Sequence, residues 1–111
     1  MARPIRSIEI YLPLDFNDGR PIPEAKYVSL QQQLLNRFGG VTSVQRQFPL
    51  QGVWQSSGEV YHDRVVVFSV MDFTGASQLE CLRYLEKLKR RLKKQLEQLE
   101  ILSTVAELLA V

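Results

Sequence analysis

The chain begins with a two-residue alternation of apolar and polar side chains. The apolar members are Ile8, Ile10, Leu12 and Leu14, and the residues between and beside them are Ser7, Glu9, Tyr11 and Pro13. This period is typical of a half-buried β-strand. Because proline cannot donate a ladder hydrogen bond, the strand is expected to fray at Pro13 or to run at a sheet edge there. The next residues, "DFNDGRPIP", are rich in turn formers and predict a loop.

A helical period replaces the alternation in "EAKYVSLQQQLLNRF", residues 24–38. Its apolar residues recur at steps of three and four and are Tyr27, Leu30, Leu34, Leu35 and Phe38. Pro23 suits the start of this helix, since its missing N–H has no partner in a first turn. Gly39 and Gly40 are expected to end it, because glycine enters the left-handed C-cap conformation without strain.

Two β-rich stretches, "VTSVQRQF" and "EVYHDRVVVFSVMDF", follow and predict a long hairpin with "SSG" as its turn. Pro49 and Gly52 interrupt the first arm and predict a bulge or kink. The second arm is apolar on both faces, which is typical of a strand that is covered on both sides. One face carries Val66, Phe68 and Val70, and the other carries Val65, Val67 and Met71.

The strongest periodic signal lies in "SQLECLRYLEKLKRRLKKQLEQLE", residues 77–100, which predicts a long amphipathic helix with Ser77 as its N-cap. The leucines of its stripe are Leu79, Leu82, Leu85, Leu88, Leu92, Leu96 and Leu99. The remaining "ILSTVAELLAV" fits either a continued helix or a final strand, and the run Ser103-Thr104-Val105 favours the strand.

The order strand, helix, hairpin, helix, strand predicts one α+β domain over residues 1–111. Short right-handed connections and two buried leucine stripes favour the ferredoxin-like βαββαβ arrangement, a four-stranded antiparallel sheet with two helices on one face. The second sheet face then needs cover, and a second copy of the chain is the simplest source. We therefore predict a homodimer or larger homo-oligomer packed through Val65, Val67 and Met71.

Composition narrows the class of protein only modestly. The chain has 111 residues, a net charge of +2 and one cysteine, Cys81, which excludes an internal disulfide. It contains neither an apolar run of about 18 residues, as a membrane span needs, nor a signal-peptide pattern. A cytoplasmic protein without membrane association, cofactor or metal is expected.

The order of several residues between Gly19 and Asp63 resembles that found in a group of small bacterial proteins. The shared order is a Gly-Pro loop, a helix ending in Phe-Gly-Gly, then Thr, Gly-x-Trp, Gly and an acidic residue before a third strand. Here these residues are Gly19, Pro21, Phe38, Gly39, Gly40, Thr42, Gly52, Trp54, Gly58 and Asp63. The resemblance implies a ferredoxin-like fold and no particular activity.

The hairpin bend offers a first candidate site. Trp54, Tyr61 and His62 would line a ligand or partner pocket, with His62 as acid, base or ligand. Alternatively, Trp54 closes the core where the strand bends. One histidine without a second histidine or a nearby cysteine does not make a usual zinc site.

Asp15 offers a second candidate site. Ferredoxin-like metal nucleases, such as the small CRISPR adaptation nuclease, place an acidic residue at the end of the first strand, and Asp15 lies in a similar position. Two such carboxylates in a dimer would hold Mg²⁺ for phosphodiester hydrolysis. The alternative is an ordinary turn aspartate in "DFNDG".

The basic face of the second helix is the third candidate. At 100° per residue its cations fall opposite the leucine stripe and would follow nucleic-acid phosphates; they are Arg83, Lys87, Arg90, Arg91 and Lys94. The alternative is a solvated face. Since no nucleophile–base arrangement or phosphate loop is present, the leading hypothesis is a non-enzymatic, oligomeric binding or regulatory module. A nucleic-acid-binding protein and an Asp15 metal nuclease are the alternatives.

Overall fold

A computed structural model describes residues 1–40, 42–43, 50–56 and 59–111, and for residues 42–63 it describes the backbone alone. The strands are β1 (Arg3–Pro13), β2 (Thr42–Ser43), β3 (Leu50–Ser56), β4 (Glu59–Asp72) and β5 (Ser103–Ala110). The helices are α1 (Glu24–Phe38) and α2 (Gln78–Gln95). The α+β class is therefore confirmed.

All strand pairs are antiparallel, and β1 lies in the middle of the sheet. It pairs with β4 on one side and with β5 on the other, while β2 and β3 both pair with the far edge of β4. This order is consistent with a ferredoxin-like fold. Two pieces, β2 and β3, stand where one hairpin arm was predicted, so the described sheet has five strands instead of four.

The end of β1 agrees with one of its two predicted alternatives. The strand ends at Pro13, as expected for fraying, but it is central and not at an edge. The final segment forms a strand and not a continuation of the helix, because residues 103–110 form β5 beside β1. Ile101, just before this strand, is buried, and Val105 packs on the core from within it.

Both helices cover the same sheet face. The sheet contributes alternate residues to one continuous core, namely Ile8, Ile10 and Leu12 from β1 and Val66, Phe68 and Val70 from β4. From the helices, the same core receives Tyr27, Leu30, Leu34, Phe38, Cys81, Leu85, Leu88 and Leu92. The rings of Phe38 and Tyr84 meet edge to face at a centroid distance of 5.4 Å, which joins α1 to α2.

The helix ends follow the predicted capping chemistry. Gly39 has a φ of 79°, and its N–H donates to the Leu35 carbonyl at 2.8 Å. Ser77 caps α2, where its Oγ accepts from the Glu80 N–H at 3.1 Å. α2 ends earlier than predicted, at Gln95, so Leu99 falls in the following loop and is exposed.

Two leucines on α2 test which part of the leucine stripe stabilises the core. Leu88 is 2% exposed and Leu79 is 56% exposed. We expect Leu88→Ala to lower the free energy of unfolding by about 2–5 kcal/mol, since it leaves a cavity. The matched Leu79→Ala change should cost less than about 1 kcal/mol. Urea denaturation measures both, and equal losses would contradict the packing described above.

Candidate functional site

Three charged residues lie side by side across the sheet, at the end where β1 begins. Arg6 on β1 is the register partner of Asp72 on β4 and also of Glu107 on β5. A cation therefore lies between two carboxylates on three adjacent strands. These positions continue the alternation of Ile8 and Ile10, so they belong to the face that the helices cover.

Arg6 directs its hydrogen bonds away from Asp72. Its Nε donates to Glu107 Oε1 at 3.0 Å, and its Nη1 donates to the Ala76 carbonyl. The Asp72 side chain is 4% exposed, and one of its oxygens, Oδ2, accepts no hydrogen bond from the described residues. A buried carboxylate oxygen without a donor is costly, so this oxygen is the most unusual polar atom of the described core.

The other Asp72 oxygen orders the loop that joins β4 to α2. Asp72 Oδ1 accepts from the Thr74 N–H at 2.9 Å and from the Thr74 hydroxyl at 2.7 Å. Thr74 Oγ1 in turn accepts from the Ala76 N–H at 3.2 Å. Gly75, between them, has a φ of 77°, a conformation that favours glycine.

A pocket of about 300 Å³ opens between this loop and the start of the central strand β1, and β4 and β5 each contribute one residue to its wall. Its lining residues are Arg3, Pro4, Ile5, Arg6, Asp72, Phe73, Gly75, Ala76 and Glu107. Phe73 is about half exposed, and the Arg3 guanidinium lies 4.9 Å from its ring centroid. We call this site the triplet pocket. Its volume lies at the lower end of the range for small-molecule sites.

Cys81 lies on the first turn of α2, close enough to Asp72 and Arg6 to feel their charges, and is buried. Burial raises the pKa of its thiol, and the negative charge of Asp72 raises it further. The thiol is thus a neutral, packed side chain.

Sequence reasoning missed the triplet pocket. Arg6, Asp72 and Glu107 are far apart in the chain, and each looks ordinary in its own segment. One local signal was available: Asp72 directly follows the apolar run "VVVFSVM", and the turn residues Thr74 and Gly75 come within the next three positions.

Asp15 is engaged by an arginine in the structure. Arg64 Nε lies 3.1 Å from Asp15 Oδ2, and Arg64 Nη2 lies 3.0 Å from Asp15 Oδ1, a bidentate pair. The hydrogen bonds to Asp15 raise the pKa of Arg64 above its ordinary value. Asp15 also forms an isolated bridge with Pro21, which agrees with the turn alternative. Within the described parts of the chain, no three His, Cys, Asp or Glu side chains are grouped to hold a metal.

The five cations of the basic helix face are all exposed, as the helical geometry predicted; they are Arg83, Lys87, Arg90, Arg91 and Lys94. No phosphate-binding partner follows from exposure alone, so their role in nucleic-acid binding stays a prediction. None of the helices in the described ranges combines the length and the apolar character needed to cross a membrane.

The hairpin candidates fall where only the backbone is described. Trp54 pairs with Tyr61, and Val53 pairs with His62, along β3 and β4. The side chains of Trp54, Tyr61 and His62 lie outside the described residues, so their proposed ligand contacts stay a prediction.

The sheet face that the helices do not cover is less exposed than the predicted oligomer surface requires. Val67 is 5% exposed within the single chain, beside its cross-strand partner Tyr11, and so needs no second copy to cover it. Val65 is half-buried, and Met71 is 37% exposed. The same face carries Ser7 and Glu9 in its central strand, which explains why it tolerates water better than the valines alone suggested.

Comparison with known proteins identifies a related fold. No protein-family model matches the chain, and no curated protein matches it either. A solved structure of a phage SAM lyase in complex with S-methyl-5'-thioadenosine is similar, with a TM-score of 0.71 and 18% sequence identity, over 93% of this chain and 81% of that one. The phage SAM lyase in its apo state has a TM-score of 0.69 and 17% identity, over 96% of this chain and 84% of that one.

These neighbours correct the leading functional hypothesis. The non-enzymatic binding module predicted from the sequence is not supported, because the solved structures that share this fold are those of a phage SAM lyase. The absence of nucleophile and base motifs from the sequence does not exclude catalysis, because positioning and electrostatics alone accelerate many reactions.

Cys81 supplies a test of the core packing at the start of α2. It is the chain's single cysteine, so any thiol label reports on it alone. We expect iodoacetamide to modify the folded protein much more slowly than the urea-unfolded protein at mildly alkaline pH, because burial hinders access and keeps the thiol protonated.

The same shift has a defined pH dependence. Because the pKa of Cys81 is higher in the folded chain, the unfolded chain loses its thiol proton first. Cys81 should therefore lower the free energy of unfolding as pH rises above the ordinary thiol pKa, and Cys81→Ala should remove that loss. Labelling of the folded chain at the unfolded rate would contradict this description.

Proposed function

We propose that this chain is an enzyme that binds S-adenosylmethionine (SAM) and cleaves its sulfonium, with S-methyl-5'-thioadenosine as one product. The observation that carries the proposal is the similarity, at a TM-score of 0.71 over 93% of the chain, to a SAM lyase bound to that nucleoside. The triplet pocket is the proposed site, because it combines charged groups of both signs with a half-exposed aromatic ring.

The chemistry needs little from the protein. The bond between sulfur and the four-carbon amino-acid fragment breaks, and its electron pair goes to sulfur, which becomes a neutral thioether. The fragment regains a pair either from its own carboxylate, which closes a ring, or by losing a proton to a base. A neutral thioether leaves without a general acid, so positioning and electrostatics supply most of the catalysis.

Charge also orients the substrate within the proposed site. The sulfonium loses its positive charge in the transition state, so a carboxylate beside sulfur would stabilise the ground state more and slow the reaction. Asp72 and Glu107 therefore suit the amino-acid end of SAM, and Phe73 suits the adenine, which stacks on aromatic rings.

We further propose that the fold is the ferredoxin-like βαββαβ arrangement predicted from the sequence. In this interpretation β2 and β3 are two parts of one second strand, since both pair with the same edge of β4. The resemblance to the small bacterial proteins is compatible with the same arrangement.

The predicted homo-oligomer also remains a proposal, with Val65 and Met71 as the partly exposed residues of its surface. Light scattering coupled to size exclusion measures the mass in solution. A mass equal to one chain at micromolar concentration would overturn it.

Product analysis and ligand binding test the enzymatic proposal. Wild-type protein incubated with SAM should release S-methyl-5'-thioadenosine faster than a heat-inactivated sample, as measured by liquid chromatography with mass detection. Phe73→Ala should weaken binding of S-methyl-5'-thioadenosine about tenfold in calorimetry, because one base–aromatic stack is worth about 1–3 kcal/mol.

The matched control is Phe73→Tyr, which keeps the ring and should keep the affinity. If the nucleoside forms no faster than in the inactivated sample, the lyase proposal fails. If Phe73→Ala binds the nucleoside as the wild type does, the adenine position is wrong.

A further inference from the structure

The unpartnered oxygen of Asp72 points to a specific ligand group. We infer that Asp72 is the binding residue for the α-ammonium group of the substrate's amino-acid end, an inference that rests on the proposed function. The Asp72 side chain is 4% exposed, lines the triplet pocket and leaves Oδ2 without a hydrogen bond from the described residues.

The surrounding contacts explain why this buried oxygen has no hydrogen-bond donor among the described residues. Arg6, the nearest cation by strand register, is held by Glu107 and by the Ala76 carbonyl. Thr74 occupies Oδ1 with two hydrogen bonds and fixes the carboxylate in the loop. A cationic N–H donor entering the pocket would complete the hydrogen bonding of Asp72 and neutralise its charge.

The pocket's cations define the rest of the ligand class. The Arg3 guanidinium lies over Phe73 at the pocket wall and makes no ion pair with another described residue, so it is an unpaired cation to which a ligand carboxylate would be attracted. A group that offers an ammonium to Asp72 and a carboxylate to Arg3 is zwitterionic, as an α-amino acid is. SAM carries such a group, whereas S-methyl-5'-thioadenosine does not.

Two nucleosides separate these contributions. S-Adenosylhomocysteine carries the amino-acid end on a neutral thioether, and S-methyl-5'-thioadenosine lacks that end. We expect Asp72→Asn to weaken S-adenosylhomocysteine binding about 10- to 100-fold, as expected for loss of a charged hydrogen bond. Its effect on S-methyl-5'-thioadenosine should be less than about threefold. Asp18→Asn, an exposed carboxylate in the loop at the other end of β1, is the matched control and should change neither affinity.

A modified ligand tests the same contact on the wild-type chain, so the test does not depend on the folding of a variant. The S-adenosylhomocysteine analogue with hydrogen in place of the ammonium should bind the wild type about 10- to 100-fold more weakly than the parent. On a folded Asp72→Asn chain the difference between the two ligands should be much smaller, because the amide that replaces the carboxylate carries no charge.

The outcomes also separate this inference from the lyase proposal. Loss of both nucleosides together, no loss on Asp72→Asn, or no binding of S-adenosylhomocysteine to the wild type would each overturn the role of Asp72. In those cases SAM cleavage by the wild type would still support the lyase. Selective loss of S-adenosylhomocysteine without any SAM cleavage would support the role of Asp72 and overturn the lyase.

Discussion

The burial of one face of β1 against both helices is the constraint on which the rest of the structure depends. Ile8, Ile10 and Leu12 are almost completely buried at the centre of the core, and their strand is paired on both edges. This packing fixes the register of β1 against β4 and β5, because a slip of one residue would turn the apolar side chains to the opposite face. The same register sets Arg6 opposite Asp72 and Glu107, so the hydrophobic pattern of the strand positions the charged site at its end.

Much of the architecture follows from short-range signals in the sequence. The helical spacing around Leu30 and Leu34, the glycine stop at Gly39 and the Ser77 cap each predict an element that the structure contains. Local physics decides these features, so a window of ten to twenty residues is enough to recognise them. The end of α2 was misplaced, since Leu99 continues the leucine spacing after the helix has ended at Gln95.

The triplet pocket depends on long-range pairing and could not be recognised in the same way. Arg6 meets Glu107 only because the last strand returns beside the first. The ion pair of Asp15 also depends on long-range pairing, because its partner Arg64 lies on β4, far from Asp15 in the sequence. The function could be predicted from the sequence even less well than the pocket. One architecture supports many activities, and the proposed sulfonium cleavage uses no familiar sequence motif. A sulfonium already contains its own leaving group, so the absence of a nucleophile–base pair was weak evidence against an enzyme.

The loop between β4 and α2 has a consequence for the thermodynamics of ligand capture. Successive hydrogen bonds from Thr74 and Ala76, followed by the Ser77 cap, hold this segment in one conformation without help from a bound molecule. A wall that is already ordered loses little conformational entropy when it is occupied. The entropic penalty of association then falls mainly on the small molecule, and even a shallow cleft of this kind retains more of its contact energy as affinity.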